Sequence, residues 1–241
     1  MRRTYRLLMF LAGCWAPLIG QEMTEPEDEG PTIFTLAASG GVLFVNPSAL
    51  NNSFTMVNTT LDRSVERLNT VYPLSLHLRM SIGPRSYLVL RGDFIRFTRG
   101  FSYDAVETSA SGTTSGTFRV TDDRTYHTFP VGLGVGFMMN KKRTMEFEIG
   151  FIYAFSTIDE SGSMGSFGTF HSTVDGSGWG GWVAVRPRIG ITESIVLSPE
   201  FGWRFLRTEE FHDQNGRTLG GFSIDLRGVS AAAVLSISFS Q

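Results

Sequence analysis

Three observations predict an all-β chain, an eight-stranded antiparallel up-and-down transmembrane β-barrel. Apolar residues recur at every second position from Thr32 onward, the alternation that puts successive side chains on opposite faces of a strand. Short and long connections follow one another in turn. The polar face is built from Gly, Ser and Ala with a few charges, unlike a face that meets water. Composition agrees: the 241 residues include 27 Gly and 20 Phe, only 18% are charged, and the lysines are two, Lys141 and Lys142. A soluble surface carries more charge than this. The formal net charge of −2 excludes a strongly basic chain, so no nucleic-acid partner is expected. A single Cys14 excludes a disulfide framework and a cysteine-based zinc site. No cofactor is expected. No apolar run of about 18 residues follows the N-terminus, which excludes helical spans.

The first element is an export signal over 1–20. Arg2, Arg3 and Arg6 precede the apolar stretch Leu7 to Gly20, which is too short for a membrane helix. Two cleavage sites compete. Leu11-Ala12-Gly13-Cys14 is similar to a bacterial lipobox that would leave a lipidated Cys14 first; cleavage after Gly20 would remove Cys14 and leave Gln21. The apolar run continues past Cys14 through Trp15 and Ile19, which favours the second. Residues 21–31 form an acidic disordered lead with Glu22, Glu25, Glu27, Asp28 and Glu29. The barrel is expected over 32–241.

The strands follow in order. The first places Phe34, Leu36, Ala38, Val42 and Phe44 on one face. In the second, Tyr72, Leu74, Leu76, Leu78, Met80 and Ile82 alternate with Ser75, His77, Arg79 and Ser81. The third sets Leu88, Leu90 and Phe94 against Arg91 and Asp93. The fourth sets Phe129 to Phe137 against Thr128, Gly132, Gly134 and Gly136. The fifth sets Met145 to Phe155 against Glu146, Glu148 and Gly150. The sixth sets Val183, Val185 and Ile189 against Trp182, Ala184, Arg186 and Arg188. The seventh sets Ile195, Leu197, Phe201, Trp203 and Phe205 against Ser198, Glu200 and Arg204. The eighth sets Val229 to Phe239 against Ser230, Ala232, Ser236 and Ser238. Before Gly228 the apolar parity moves to Phe222, Ile224 and Leu226, and a bulge near Arg227-Gly228 is the expected cause.

Short connections follow strands 2, 4 and 6, for example Gly83-Pro84-Arg85-Ser86. Longer ones, such as Asn46 to Val71 and Gly100 to Thr125, follow the odd strands. Bacterial outer-membrane barrels have this asymmetry, with short periplasmic turns and long outer loops. Closing the sheet satisfies every backbone polar group in a bilayer. Large aromatics near strand ends (Tyr72, Phe137, Phe155, Trp203, Phe205, Phe239) fit an interfacial girdle. The competing reading, a soluble lipocalin-like carrier, requires these residues to point inward.

The stretch Phe129-Pro130-Val131-Gly132-Leu133-Gly134-Val135-Gly136-Phe137 and the terminal Val234-Leu235-Ser236-Ile237-Ser238-Phe239 resemble the small outer-membrane β-barrels related to the OmpA transmembrane domain. The resemblance covers about Thr32 to Gln241. It implies location in the bacterial cell outer membrane, contact with outer-membrane lipid, and a terminal aromatic signal read by the barrel-assembly machinery. Ser240 and Gln241 follow the aromatic, a departure from the family pattern. No peptidoglycan-binding domain follows the barrel, so that activity is not implied.

An eight-stranded barrel is just wide enough for side chains to fill. The inward charges nearly balance: Arg79, Arg91, Arg186, Arg188 and Arg204 against Asp93, Glu146, Glu148 and Glu200. A network of these nine residues is expected to plug the lumen, because mutual pairing relieves the cost of burying charge. Gly132, Gly134 and Gly136 leave room beside it. Some of the nine would otherwise face water near the rim. Unchanged heat resistance and no conductance in Glu148→Ala would remove support for the plug.

Catalysis has little footing. His77 reads as lumenal filling. His127-Thr128 and His171-Ser172 are consecutive in strands, so each pair points to opposite faces. His212-Asp213 reads as a solvated loop rather than a metal patch. The outer loops carry Asp104, Glu107, Asp122, Asp123 and Arg124, then Asp159, Glu160, Met164, Phe167, Phe170 and Asp175. They could contact an extracellular partner, because binding residues gather on loops held by a rigid scaffold; a mobile solvated loop is the plainer reading. The expectation is a non-enzymatic barrel with a structural or surface-interaction role. A narrow pore, a lipid-modifying enzyme and a soluble carrier are the alternatives.

Overall fold

A computed structural model describes residues 33–61, 65–108, 114–140, 142–219 and 223–240. The signal, the lead and Cys14 lie outside the described residues. Eight strands form one ring: β1 (Ile33–Val45), β2 (Leu74–Ser81), β3 (Ser86–Thr108), β4 (Thr114–Met138), β5 (Met145–Met164), β6 (Thr169–Pro187), β7 (Ile195–His212) and β8 (Gly228–Ser240). Each is antiparallel to the next, and β1 closes on β8 from Ile33↔Ser240 to Val45↔Gly228.

The apolar face points out and the polar face in. Leu36, Leu76, Leu133, Phe155, Phe201 and Phe239 are exposed, whereas Arg79, Arg91, Glu148, Arg186, Glu200 and Arg204 are buried. This overturns the soluble-carrier reading. The outward series of each strand turns from apolar to polar at one level, at Phe44, Tyr72, Phe94, Phe129, Phe155, Trp179, Phe205 and Val229 in order round the ring. Seven of these eight are aromatic, and neighbours touch: Phe94 and Phe129 are 5.2 Å apart by ring centroid, Trp179 and Phe205 5.4 Å. At the inner end, Phe34 pairs with Phe239 and Phe137 with Phe147. The apolar series runs over eight residue steps on β4, Phe129 to Phe137, and ten on β1, Phe34 to Phe44. At about 3.4 Å per residue and a tilt near 40° that is about 21–26 Å, which matches the ~25 Å apolar band of an outer-membrane barrel. The chain is therefore an outer-membrane-type β-barrel with lipid on its outer face.

Three sequence expectations need correction. The segment Asn46 to Val71 is not a loop throughout, because it contains helix α1 (Ser48–Leu61). The helix turns Leu50, Asn51 and Phe54 inward. Asn51 then bonds the return segment as a strand would: its Oδ1 accepts from the Leu68 amide at 2.8 Å and its Nδ2 donates to the Leu68 carbonyl at 3.1 Å. Two helical turns later Asn58 does the same with Val65, at 2.6 and 3.0 Å. Second, the connections Gly100 to Thr125 and Asp159 to Asp175 are mostly paired strand. The β3–β4 ladder runs to Thr108↔Thr114 and the β5–β6 ladder to Ser163↔Thr169. Their Ser and Thr content reads as loop, yet β-branched Thr suits a pleated surface once a partner strand is present.

Third, no bulge marks Arg227-Gly228. The pairs Asp225↔Arg207 and Gly228↔Arg204 share one register. Ile224 and Leu226 keep the inward parity because the interior itself changes, from charged in the inner half to apolar in the outer half. Leu43, Leu50, Leu68, Ile95, Ile152, Leu206, Ile224 and Leu226 fill that outer half and are each 1% exposed or less. Irregularity occurs instead on β7, where Glu210 has φ 58° and the ladder shifts between Asp175 and Ser177. That step turns Phe211 into the core, fully buried.

Candidate functional site: a charged lumen under an apolar cap

Eight charged side chains fill the inner half of the barrel. Strand alternation aims them inward, and the stagger of the ring brings them to adjacent levels. Arg186 is the centre, with no side-chain exposure. It bonds Glu148 with two nitrogens, the longer contact at 2.7 Å, and Glu200 at 2.5 Å, and lies 4.0 Å from Glu146. Arg79 reaches Glu146 at 3.1 Å and Glu148 at 3.2 Å. Arg91 holds Asp93 at 2.9 Å and Glu200 at 3.3 Å, and Arg204 meets Asp93 at 2.7 Å. The ninth predicted residue, Arg188, sits at the inner rim with its side chain 26% exposed and bonds Glu146 at 3.3 Å.

The pairs cross the lumen. Arg91 and Asp93 stand on β3; their partners Glu200 and Arg204 stand on β7, four strands away and so on the opposite wall. Arg79 on β2 reaches β5, three strands away. Four buried arginines face four buried carboxylates, so this layer is neutral as well as paired. Charge-assisted bonds of this kind offset the desolvation that burial imposes.

Three aromatic or imidazole groups complete the layer. Tyr87 donates its hydroxyl to Glu148 at 3.2 Å, and Arg79 lies over the Tyr87 ring at 5.4 Å. Trp182 Nε1 points to Glu148 at 3.5 Å, and its ring faces Arg91 at 5.9 Å. The room left by the lumenal glycines is taken by these rings. A Cβ on Gly132 would come within 2.6 Å of Trp182, and one on Gly150 or Gly136 would strike Trp182 or Tyr87. His77 is buried and shares a 3.4 Å contact with Ser39. Tyr87 is absent from the sequence-based set; its parity with Arg91 and Asp93 was the signal for it.

Above the charges, at the level of the outer girdle, hydroxyls bridge the lumen. Thr128 and Ser156 lie 3.1 Å apart, as do Ser156 and Thr208. The apolar cap with α1 follows. Higher still, Arg124 joins Asp122 at 2.8 Å and Glu160 at 2.6 Å. His127 lies 3.6 Å from Asp159 on the outward face. Asp213 accepts from the amides of Asn215 and Arg217 at 2.9 and 2.8 Å, so it closes a turn. Among the described residues no group of three or more His, Cys, Asp or Glu is placed to hold a metal ion.

No family model matches the chain, and no curated protein matches it. Solved structures do. Ail, the attachment invasion locus protein of Yersinia pestis, is similar over 87% of this chain and 99% of its own, at 10% identity and a TM-score of 0.44, in a complex with the heparin analogue sucrose octasulfate. Neisserial surface protein A covers 86% of this chain and 97% of its own, at 10% identity and a TM-score of 0.42. A major outer membrane protein of Thermus thermophilus covers 86% and 99%, at 12% identity and a TM-score of 0.42. The likeness is one of barrel fold alone.

Proposed function

We propose that the protein is a non-enzymatic surface-interaction barrel of the bacterial outer membrane, in which a plugged cylinder holds a paired β-wall outside the membrane. One observation carries this reading: β3 to β6 continue as a laddered sheet well past the girdle, with β7 paired along their edge as far as His212, while β1, β2 and β8 stop near it. From Phe94 to Val106, β3 runs 12 residues beyond the girdle level, about 40 Å of strand. Val106, Met164 and Phe167 are exposed on this wall, and Phe118 packs edge-on against Phe167 at 5.0 Å. A paired wall presents such groups with less ordering cost than a loose loop. The filled lumen argues against the narrow-pore reading, because crossing ion pairs, an apolar cap and α1 occupy the path in succession.

The test uses the full chain displayed on bacterial cells and a variant whose β3–β4 ladder is shortened to end near Arg99↔Arg124. Retention of cells on immobilised extracellular matrix is expected to fall in the variant, with the boiling-dependent gel shift of both chains preserved. Purified protein in planar bilayers is expected to give no unitary current. Equal retention of both chains, or steady conductance steps from the native chain, would overturn the proposal.

A further inference from the structure

Four basic residues face outward one step above the girdle: Arg96, His127, Arg207 and Arg227. Three have a carboxylate. His127 has Asp159 at 3.6 Å, Arg207 has Glu209 at 2.7 Å, and Arg227 has Asp225 at 2.6 Å. Arg96 forms no ion pair among the described residues.

Arg96 instead lines an open cleft of about 410 Å³ together with Arg67, Arg99, Asn69, Thr98 and Tyr72. Neither Arg67 nor Arg99 forms an ion pair among the described residues. Arg67 contacts the Thr55 hydroxyl at 3.4 Å, and Arg99 donates Nη1 to the Thr98 carbonyl at 2.9 Å. The Arg99 Nε is buried without a hydrogen-bond partner among the described residues. The cleft arises from topology: β2 begins at Leu74, opposite Phe94, while β3 continues upward, so the β3 edge from Ile95 faces the return segment that carries Arg67 to Tyr72. Exposed Tyr72, Leu74 and Phe44 lie at or below its lower lip, inside the apolar band.

Three arginines line one cleft that has no carboxylate among its described lining residues, and planar guanidinium forks match phosphate oxygens. The cleft lies where the bilayer headgroups begin. We propose that Arg67, Arg96 and Arg99 form a phosphate-binding site at the outer headgroup level, open to a phosphomonoester on a lipid or to a free phosphorylated molecule. This site is independent of the β-wall and of the plugged lumen.

The test is native mass spectrometry of the full chain released from uncharged micelles doped with phosphatidic acid or, separately, phosphatidylcholine. The native chain is expected to retain one phosphatidic acid at least tenfold more often than the double variant R96A/R99A, while R227A retains it as the native chain does. A boiling-dependent gel shift in each variant shows that the barrel has folded. Sodium pyrophosphate, added to micelles with and without the lipid, distinguishes the sources. Displacement of the lipid supports a site also open to free phosphate; undisturbed retention supports a headgroup site. Equal retention by native and double-variant chains, or equal retention of phosphatidylcholine, would overturn the proposal.

Discussion

Replacing Glu148 by Ala removes the partner shared by Arg186, Arg79, Tyr87 and Trp182. Arg79 keeps Glu146 at 3.1 Å and Arg186 keeps Glu200 at 2.5 Å, so neither cation is stranded outright. The layer nevertheless changes from four carboxylates against four arginines to three against four, in a region where the Arg186 side chain has no exposure. Removing one partner from a buried ion pair costs about 3–5 kcal/mol. Urea unfolding of the refolded barrel in lipid vesicles, read by gel mobility and tryptophan fluorescence, is expected to show a loss of that size. Glu160→Ala, which breaks a pair to a 37%-exposed Arg124 side chain, is the internal comparison and is expected to cost about 1 kcal/mol or less. The double variant Glu148→Met/Arg186→Met should lose less than Glu148→Ala, because the lost carboxylate no longer leaves the central cation in excess. Conductance is expected to stay absent in all three, since the apolar cap remains. A loss below about 1 kcal/mol for Glu148→Ala would refute the buried, paired lumen.

Further outcomes follow from other parts of the barrel. Asn51→Ala strands the buried Leu68 amide and carbonyl and should cost about 1–3 kcal/mol, with amide exchange over Ser48–Leu61 rising before global unfolding. Gly150→Val drives a side chain into Trp182; overpacking of this kind costs about 1–3 kcal/mol, seen as a lower temperature for loss of the compact gel band. Tyr126 lies above the spanning part of β4, which ends at Phe129, and stacks on Phe97 at 4.6 Å. Burial pushes its hydroxyl up to about 12. The neutral form is thus favoured by folding, so its contribution is complete below about pH 10 and is lost as pH rises toward 12. The urea midpoint should fall between about pH 9.5 and about 11.5, and Tyr126→Phe should fall less over the same window.

The eight alternating strands, the identity of the lipid face and the nine inward charges were legible in the residues, because a period of two assigns every side chain to one of two faces. Register was not legible. Arg91 and Glu200 are 109 residues apart, and only closure of β1 on β8 with a fixed stagger sets them 3.3 Å apart across the lumen. The same limit explains the misread parity at Leu226, since an inward position can be charged or apolar according to its height in the barrel. It also explains the long outer segments, whose Thr- and Ser-rich ladders form only against a neighbouring strand. The sequence by itself determined which side chains meet lipid and which turn inward, a local consequence of strand geometry. The tertiary structure decided which inward groups meet, what caps them and which arginines line one cleft, because those depend on stagger and closure around the whole ring.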